Sequence, residues 1–151
     1  MISYGSVREY DLPFNVLTRA LQLQLHKKGF EILSEIALDE EVRNKLGIEF
    51  RNYLVFSVCN LPLAYKALIR DENFGMLLTC NVILYEKSDG TCVAGMIRPT
   101  IFMPLVGNAS LEEGAAIIER KLTEVLDRIG RTKLRPCRRT AKTAAYMQAA
   151  A

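Results

Sequence analysis

The dipeptide Cys-Asn occurs twice, as Cys59-Asn60 and Cys80-Asn81, each time beside an apolar run of strand character. A thiol can bind a soft metal or carry redox chemistry, and a carboxamide can both donate and accept hydrogen bonds. If the two runs are adjacent strands, Cys59 and Cys80 fall within a few residues of each other. A thiol-dependent redox enzyme or a soft-metal carrier is therefore one function class to weigh. Against it, no other ligand type clusters with the two cysteines. The single histidine, His26, falls near a helix end, and no Cys-x-x-Cys pair exists for a zinc knuckle or thioredoxin-like motif. A thiolate also needs an electropositive neighbour, for which Arg98 and Lys66 are the candidates. Structural thiols are the simpler reading, since Cys is common in cores as a small hydrophobe. No metal and no cofactor is expected.

The two amides are not equivalent. Asn60 sits where a helix should start, with Pro62 in its first turn, so capping accounts for it. Asn81 lies inside a strand, where Asn is depleted, and is the more informative residue. Other catalytic patterns are missing: there is no nucleophile elbow, no Walker loop and no dinucleotide-binding glycine motif. Glu112-Glu113 is a carboxylate pair, but it belongs to the capping box Ser110-Leu111-Glu112-Glu113.

The elements that position these residues follow from periodicity. Ile2 to Glu9 reads as a strand, and Pro13 opens a helix with Asp11 as a nearby cap. Phe14, Leu17, Leu21 and Leu25 form its apolar stripe, and His26-Lys27-Lys28-Gly29 closes it. Phe30 to Leu38 alternates as a half-buried strand. Asp39 to Leu46 is a short helix ended by Gly47. Tyr53 to Cys59 is a strand, followed by a helix from Asn60 to about Asn73. Met76 to Leu84 is almost unbroken apolar sequence and reads as a central strand restarted at Gly75. Thr91 to Ile97 returns across a turn at Ser88-Asp89-Gly90-Thr91. Pro99 to Gly107 is irregular and unusually apolar for a loop. A last helix carries Leu111, Ala115, Ile118, Leu122, Val125 and Ile129 on one face and ends at Gly130.

The order β-α-β-(short α)-β-α-β-β-α predicts an α+β fold of two layers, a mostly antiparallel sheet with helices on one face. A tight Asp89-Gly90 turn would set Leu84 opposite Gly95 and Asn81 opposite Arg98. Asn81, Ile83, Tyr85, Ala94, Met96 and Arg98 would then share one face, with Leu78, Cys80, Val82 and Leu84 on the other. The second set is the better core, which buries Cys80 and turns Asn81 outward. The outward face stays apolar around its polar groups, as expected of a surface that meets a second subunit or a ligand. Thr79, Asn81 and Arg98 can supply donors for an anionic group there, with Cys59, Asn60 and Cys80 nearby. A small molecule or partner held between the sheet face and the 99–107 segment is the leading expectation.

Charge is divided along the chain. Residues 1–127 hold 13 Lys and Arg against all 17 Asp and Glu, a net of −4, whereas residues 128–151 hold 7 and none, a net of +7. The expected organisation is one domain over 1–130 and a basic, Ala-rich tail over 131–151. Weak nucleic-acid binding through that tail is a third function class, but Tyr146 is its only aromatic and base stacking is poorly provided for. No apolar run approaches the ~18 residues of a membrane span. Met1-Ile2-Ser3-Tyr4-Gly5 does not look like the start of a signal peptide, so the expected location is the cytoplasm, with cysteines reduced.

Four segments resemble the bacterial domain-of-unknown-function family 302. They are residues 46–53 (Leu46 to Tyr53), 59–68 (Cys59 to Leu68), 77–86 (Leu77 to Glu86) and Leu105-Val106-Gly107-Asn108. The resemblance covers roughly residues 3–130. It implies a two-layer α+β fold of the TATA-binding-protein-like kind and a homodimer, and it implies no reaction. Two positions depart from the family pattern: Thr79 stands where members often have Pro, and Arg98 where they often have an acidic residue.

Overall fold

The computed structural model describes residues 3–129. The tail expected over 131–151, its proposed boundary at Gly130 and the first two residues lie outside that range. The strands are β1 (Gly5–Tyr10), β2 (Glu31–Ala37), β3 (Tyr53–Cys59), β4 (Cys80–Glu86) and β5 (Cys92–Ile97). They form one sheet in the order β1-β5-β4-β3-β2, with every neighbouring pair antiparallel. The helices are α1 (Phe14–Lys27), α2 (Leu38–Leu46), α3 (Leu61–Arg70), α4 (Met103–Val106) and α5 (Ala109–Ile129). This is the α+β architecture expected from the element order, with β4 in the middle of the sheet.

The long helices α1 and α5 cover one sheet face because each presents an apolar stripe at helical spacing. Leu17, Leu21 and Leu25 of α1 meet Leu122, Val125, Leu126 and Ile129 of α5 over Phe56, Val58, Val82, Leu84 and Ala94 of the sheet. Tyr10 lies in the same core and its hydroxyl donates to the Leu126 carbonyl at 2.8 Å. Gly29 (φ +82°) turns the chain out of α1, and the Phe30 N–H reaches back to the Leu25 carbonyl at 3.0 Å. The predicted cap at Asp11 is not used. Pro13 occupies the N-cap position and no side chain caps α1.

Three local readings are corrected. The first is the β4–β5 turn. Lys87 N–H donates to the Thr91 carbonyl at 2.8 Å and Thr91 N–H to Asp89 Oδ1 at 2.9 Å, with Gly90 at φ +87°. The loop therefore has three residues, Ser88 to Gly90, rather than two, and the register moves by one: Val82 faces Met96 and Leu84 faces Ala94. A one-residue slip exchanges the faces of a strand. Ala94 and Met96 consequently point into the core with Cys80, and Arg98 does not share a face with Asn81.

The second correction concerns residues 71–79. Helix α3 stops at Arg70, because Asp71 is extended (φ −149°, ψ 106°) and its carboxylate accepts from Asn73 N–H at 2.9 Å. Glu72–Leu77 then forms a 3-10 turn, and the strand starts only at Cys80. The apolar run Met76 to Leu78 is thus not a strand.

The third lies after β5. Pro99–Phe102 is a 3-10 turn and Met103–Val106 a short helix, where an irregular loop was expected. Gly107, in the left-handed region at φ +65°, ends α4. Asn108 then begins α5: its Oδ1 accepts from Ser110 N–H at 3.1 Å and from Ser110 Oγ at 2.7 Å. Ser110 is inside the helix, so the capping role passes from Ser110 to Asn108.

Candidate functional site

A cavity of about 440 Å³ opens between α3 and the first half of α5, at the end of the sheet where β3 finishes and β4 begins. Small residues create it. Ala64 and Ala67 of α3 and Gly114 and Ala115 of α5 line the space between the helices, and a Cβ placed on Gly114 would meet nothing within 4 Å. Phe74 and Leu78 of the 71–79 segment and Phe102 and Met103 after β5 close the sides. Phe74, Leu78 and Phe102 are partly buried and Met103 is buried along this space, whereas Met76 and Leu77 are exposed, so neither segment follows a strand periodicity.

Asn60 secures the α3 wall. Its Oδ1 accepts from Leu63 N–H at 3.2 Å and its Nδ2 donates to the Gly29 carbonyl at 3.3 Å. One amide thus caps α3 and ties it to the turn after α1. The second wall is fastened from β5. Arg98 Nε donates to Glu119 Oε1 at 2.9 Å, and Thr100 N–H donates to Glu119 Oε2 at 3.1 Å, with the Thr100 hydroxyl also donating to Oε2. Burial of Glu119 would raise its pKa, but the hydrogen bonds from Thr100 and Arg98, with the Arg98 charge, outweigh that and hold it below its ordinary value.

The thiols sit at the floor. Cys80 lies opposite the neighbour of Cys59, since Val58 pairs with Cys80 across β3 and β4. Both cysteines are buried and unpaired. Burial pushes the Cys80 thiol up to about 11, with smaller contributions from Cys59 and Glu119, and burial raises Cys59 as well. These shifts run against thiolate formation, which nucleophilic and metal-binding thiols need. Of the two candidate cations, Arg98 is committed to Glu119, while Lys66 lines the same cavity from α3. Among the described residues no group of three or more His, Cys, Asp and Glu side chains could hold a metal.

The six sequence-derived site residues separate into two sets. Cys59, Asn60, Thr79 and Cys80 all line the cavity. Asn81 is exposed on the opposite sheet face, where its Oδ1 accepts a 3.4 Å hydrogen bond from Ser57 Oγ. Arg98 stands behind the cavity wall as the partner of Glu119. Sequence reasoning missed the cavity itself and Arg70; it named Lys66 only as a neighbour for a thiolate and Glu113 only as part of a capping box, and all three line the cavity with charge. Two signals were legible: Gly114 in the middle of a helix, where Gly costs stability, and Lys66 and Arg70 at i and i+4 on a helix with an Ala face.

Fold and cavity together define a small two-layer α+β protein whose helical layer is parted at one end to leave an open cleft. The chain belongs to the family described as Domain of unknown function DUF302, whose model matches residues 7–129. It is 32% identical over 97 residues to an uncharacterized protein of Aquifex aeolicus (strain VF5), covering 58% of this chain and 67% of that one. It is also similar to the crystal structure of an uncharacterized conserved DUF302 protein from Bacillus stearothermophilus, with a TM-score of 0.77 and 27% identity over 85% of this chain and 99% of that one. Among the described residues no helix is long and apolar enough to cross a membrane.

Proposed function

We propose that this chain is a cytoplasmic small-molecule-binding module whose ligand occupies the cavity between α3 and α5. The single observation that carries this reading is the space itself. About 440 Å³ falls within the range of small-molecule sites, and the lining is largely apolar with a few polar groups. The space is an open cleft with an apolar floor left by Ala and Gly side chains, the shape that small-molecule sites take. The unusually apolar 99–107 segment points the same way, since Pro99, Phe102 and Met103 are part of the cleft wall. The buried thiols of Cys59 and Cys80, which form no disulfide, are in keeping with a reducing compartment.

The test is displacement of a neutral, environment-sensitive fluorophore from the purified protein, compared with a Gly114→Leu variant that fills the space. Saturable binding by the natural chain, lost in the variant without loss of cooperative unfolding, supports the reading. Equal binding by both rejects it.

A second reading concerns the sheet face that neither α1 nor α5 covers. Val7 and Ile36 are 36% and 42% exposed there, beside Ile83 and the stacked rings of Tyr53 and Tyr85 at 5.4 Å. A face this apolar favours a second copy of the chain as its cover. Sedimentation analysis of Ile83→Glu tests it: a dimer that becomes a folded monomer supports the interface, and a natural chain that is already monomeric rejects it.

A further inference from the structure

The charges around the cavity narrow its ligand class, on the assumption that the cavity is a binding site. Lys66 and Arg70 both line the space from α3. Being four residues apart, they stand one above the other on a single helix face, about 6 Å from Cβ to Cβ. Neither makes an ion pair or side-chain hydrogen bond among the described residues. Residues 130–151 hold no Asp or Glu that could serve them. The other charged pair at this end of the molecule, Arg98 and Glu119, neutralises itself. One carboxylate, Glu113, lines the cavity from α5. The cavity charges are thus two cations on one wall and one anion on a different helix.

We propose that the ligand is an amphiphile with one anionic head group and an unbranched or compact apolar body. The head group lies between Lys66 and Arg70, away from Glu113, and the body fills the space walled by Ala67, Phe74, Phe102 and Met103. A single negative charge matches the local excess of one positive charge. At ~30 Å³ for each water-sized unit, the cavity of about 440 Å³ holds roughly 15 non-hydrogen atoms. Medium-chain carboxylates have that size. A nucleotide or sugar phosphate fits less well, because the uncharged polar side chains of the lining are few (Asn60, Thr79 and Ser110) and those of Asn60 and Ser110 already bond within the protein.

The experiment is a competition series with the full chain at low salt, below the micelle-forming concentration of each probe. Decanoate, 1-decanol and decyltrimethylammonium displace the same neutral fluorophore, and the carboxylates from hexanoate to decanoate measure the effect of length. Decanoate is expected to bind at least about tenfold more tightly than decanol, as one charge-assisted contact provides. Decyltrimethylammonium is expected to bind weakest. Each added CH2 should tighten binding by about fourfold. Lys66→Gln with Arg70→Gln should bring decanoate to the level of decanol and leave decanol itself unchanged.

If the three head groups bind equally, or the cation binds best, the anionic class is overturned while the cavity reading stands. If the double variant keeps the preference for decanoate, Lys66 and Arg70 are not the head-group site and the inference fails. If no probe displaces the fluorophore and Gly114→Leu behaves as the natural chain, the cavity reading fails with it.

Discussion

Arg98 donates from Nε to Glu119 Oε1 at 2.9 Å, and this bond ties the exit of β5 to the middle of α5. Pro99 and Ile118, the chain neighbours of these two residues, line the cavity. The ion pair therefore stands directly behind the wall and fixes the distance between sheet and helix there. Glu119 is the more buried partner, at 18% side-chain exposure against 39% for Arg98, and it accepts from Thr100 as well.

That asymmetry ranks two substitutions. Glu119→Ala removes the acceptor of several bonds and strands the Thr100 N–H, at an expected cost of about 1.5–3 kcal/mol. Arg98→Ala leaves Glu119 with its Thr100 donors and, with a partly solvated cation, should cost about 1 kcal/mol or less. Urea unfolding of both variants checks the order; a larger loss for Arg98→Ala would contradict it.

The same pair gives a pH dependence. The folded pKa of Glu119 is depressed below its ordinary 4.5. The stabilisation it brings is fully present above that value and is lost as pH falls through the folded pKa. Stability measured between pH 6 and pH 3 should therefore fall less steeply for Glu119→Gln than for the natural chain.

Gly114 offers a gain of stability. It lies inside α5, where Gly is unfavourable by roughly 0.5–1 kcal/mol relative to Ala, and its added Cβ meets nothing within 4 Å. Gly114→Ala is expected to raise the unfolding free energy by about that amount, read from the denaturant midpoint. A loss would mean that the space is occupied.

The two Cys-Asn dipeptides should respond unequally. Asn60→Ala removes the cap of α3 and its link to Gly29, at about 1–2 kcal/mol. Asn81→Ala, on an exposed face with one long hydrogen bond, should stay within about 0.5 kcal/mol of neutral. Equal effects in thermal unfolding would refute the division.

Thiol reactivity completes the set. With a pKa near 11 against an ordinary 9.0, Cys80 holds roughly a hundredfold less thiolate than a free cysteine at mildly alkaline pH. Alkylation of Cys80, followed by peptide mass, should be slow in the native chain and fast in denaturant. Rapid native labelling of Cys59 and Cys80 would revive thiol chemistry at the cavity floor.

Much of the fold is set by local sequence. The apolar stripes of α1 and α5 sit at helical spacing, so their buried faces follow from periodicity alone. The strand Tyr53–Cys59 and its helix cap at Asn60 follow from a short apolar run that meets a capping residue and a proline. The family, too, was legible in ordered segments around the two dipeptides. What local sequence did not decide were relationships between elements. The Asp89-Gly90 signal suits turns of two or three residues, and only the hydrogen bonds from Lys87 and Thr91 select the longer one, which carries Ala94 and Met96 into the core and separates Arg98 from Asn81. The run at 76–78 has strand composition, but Met76 and Leu77 stay exposed and only Leu78 is partly buried, along a cleft that exists only when α3 and α5 are both in place. Lys66, Arg70 and Glu113 are ordinary helix-surface charges until that packing sets them around one space. Hydrophobic pattern determines which face of an element is buried; what it is buried against, and where packing leaves room, is decided by the assembled tertiary structure.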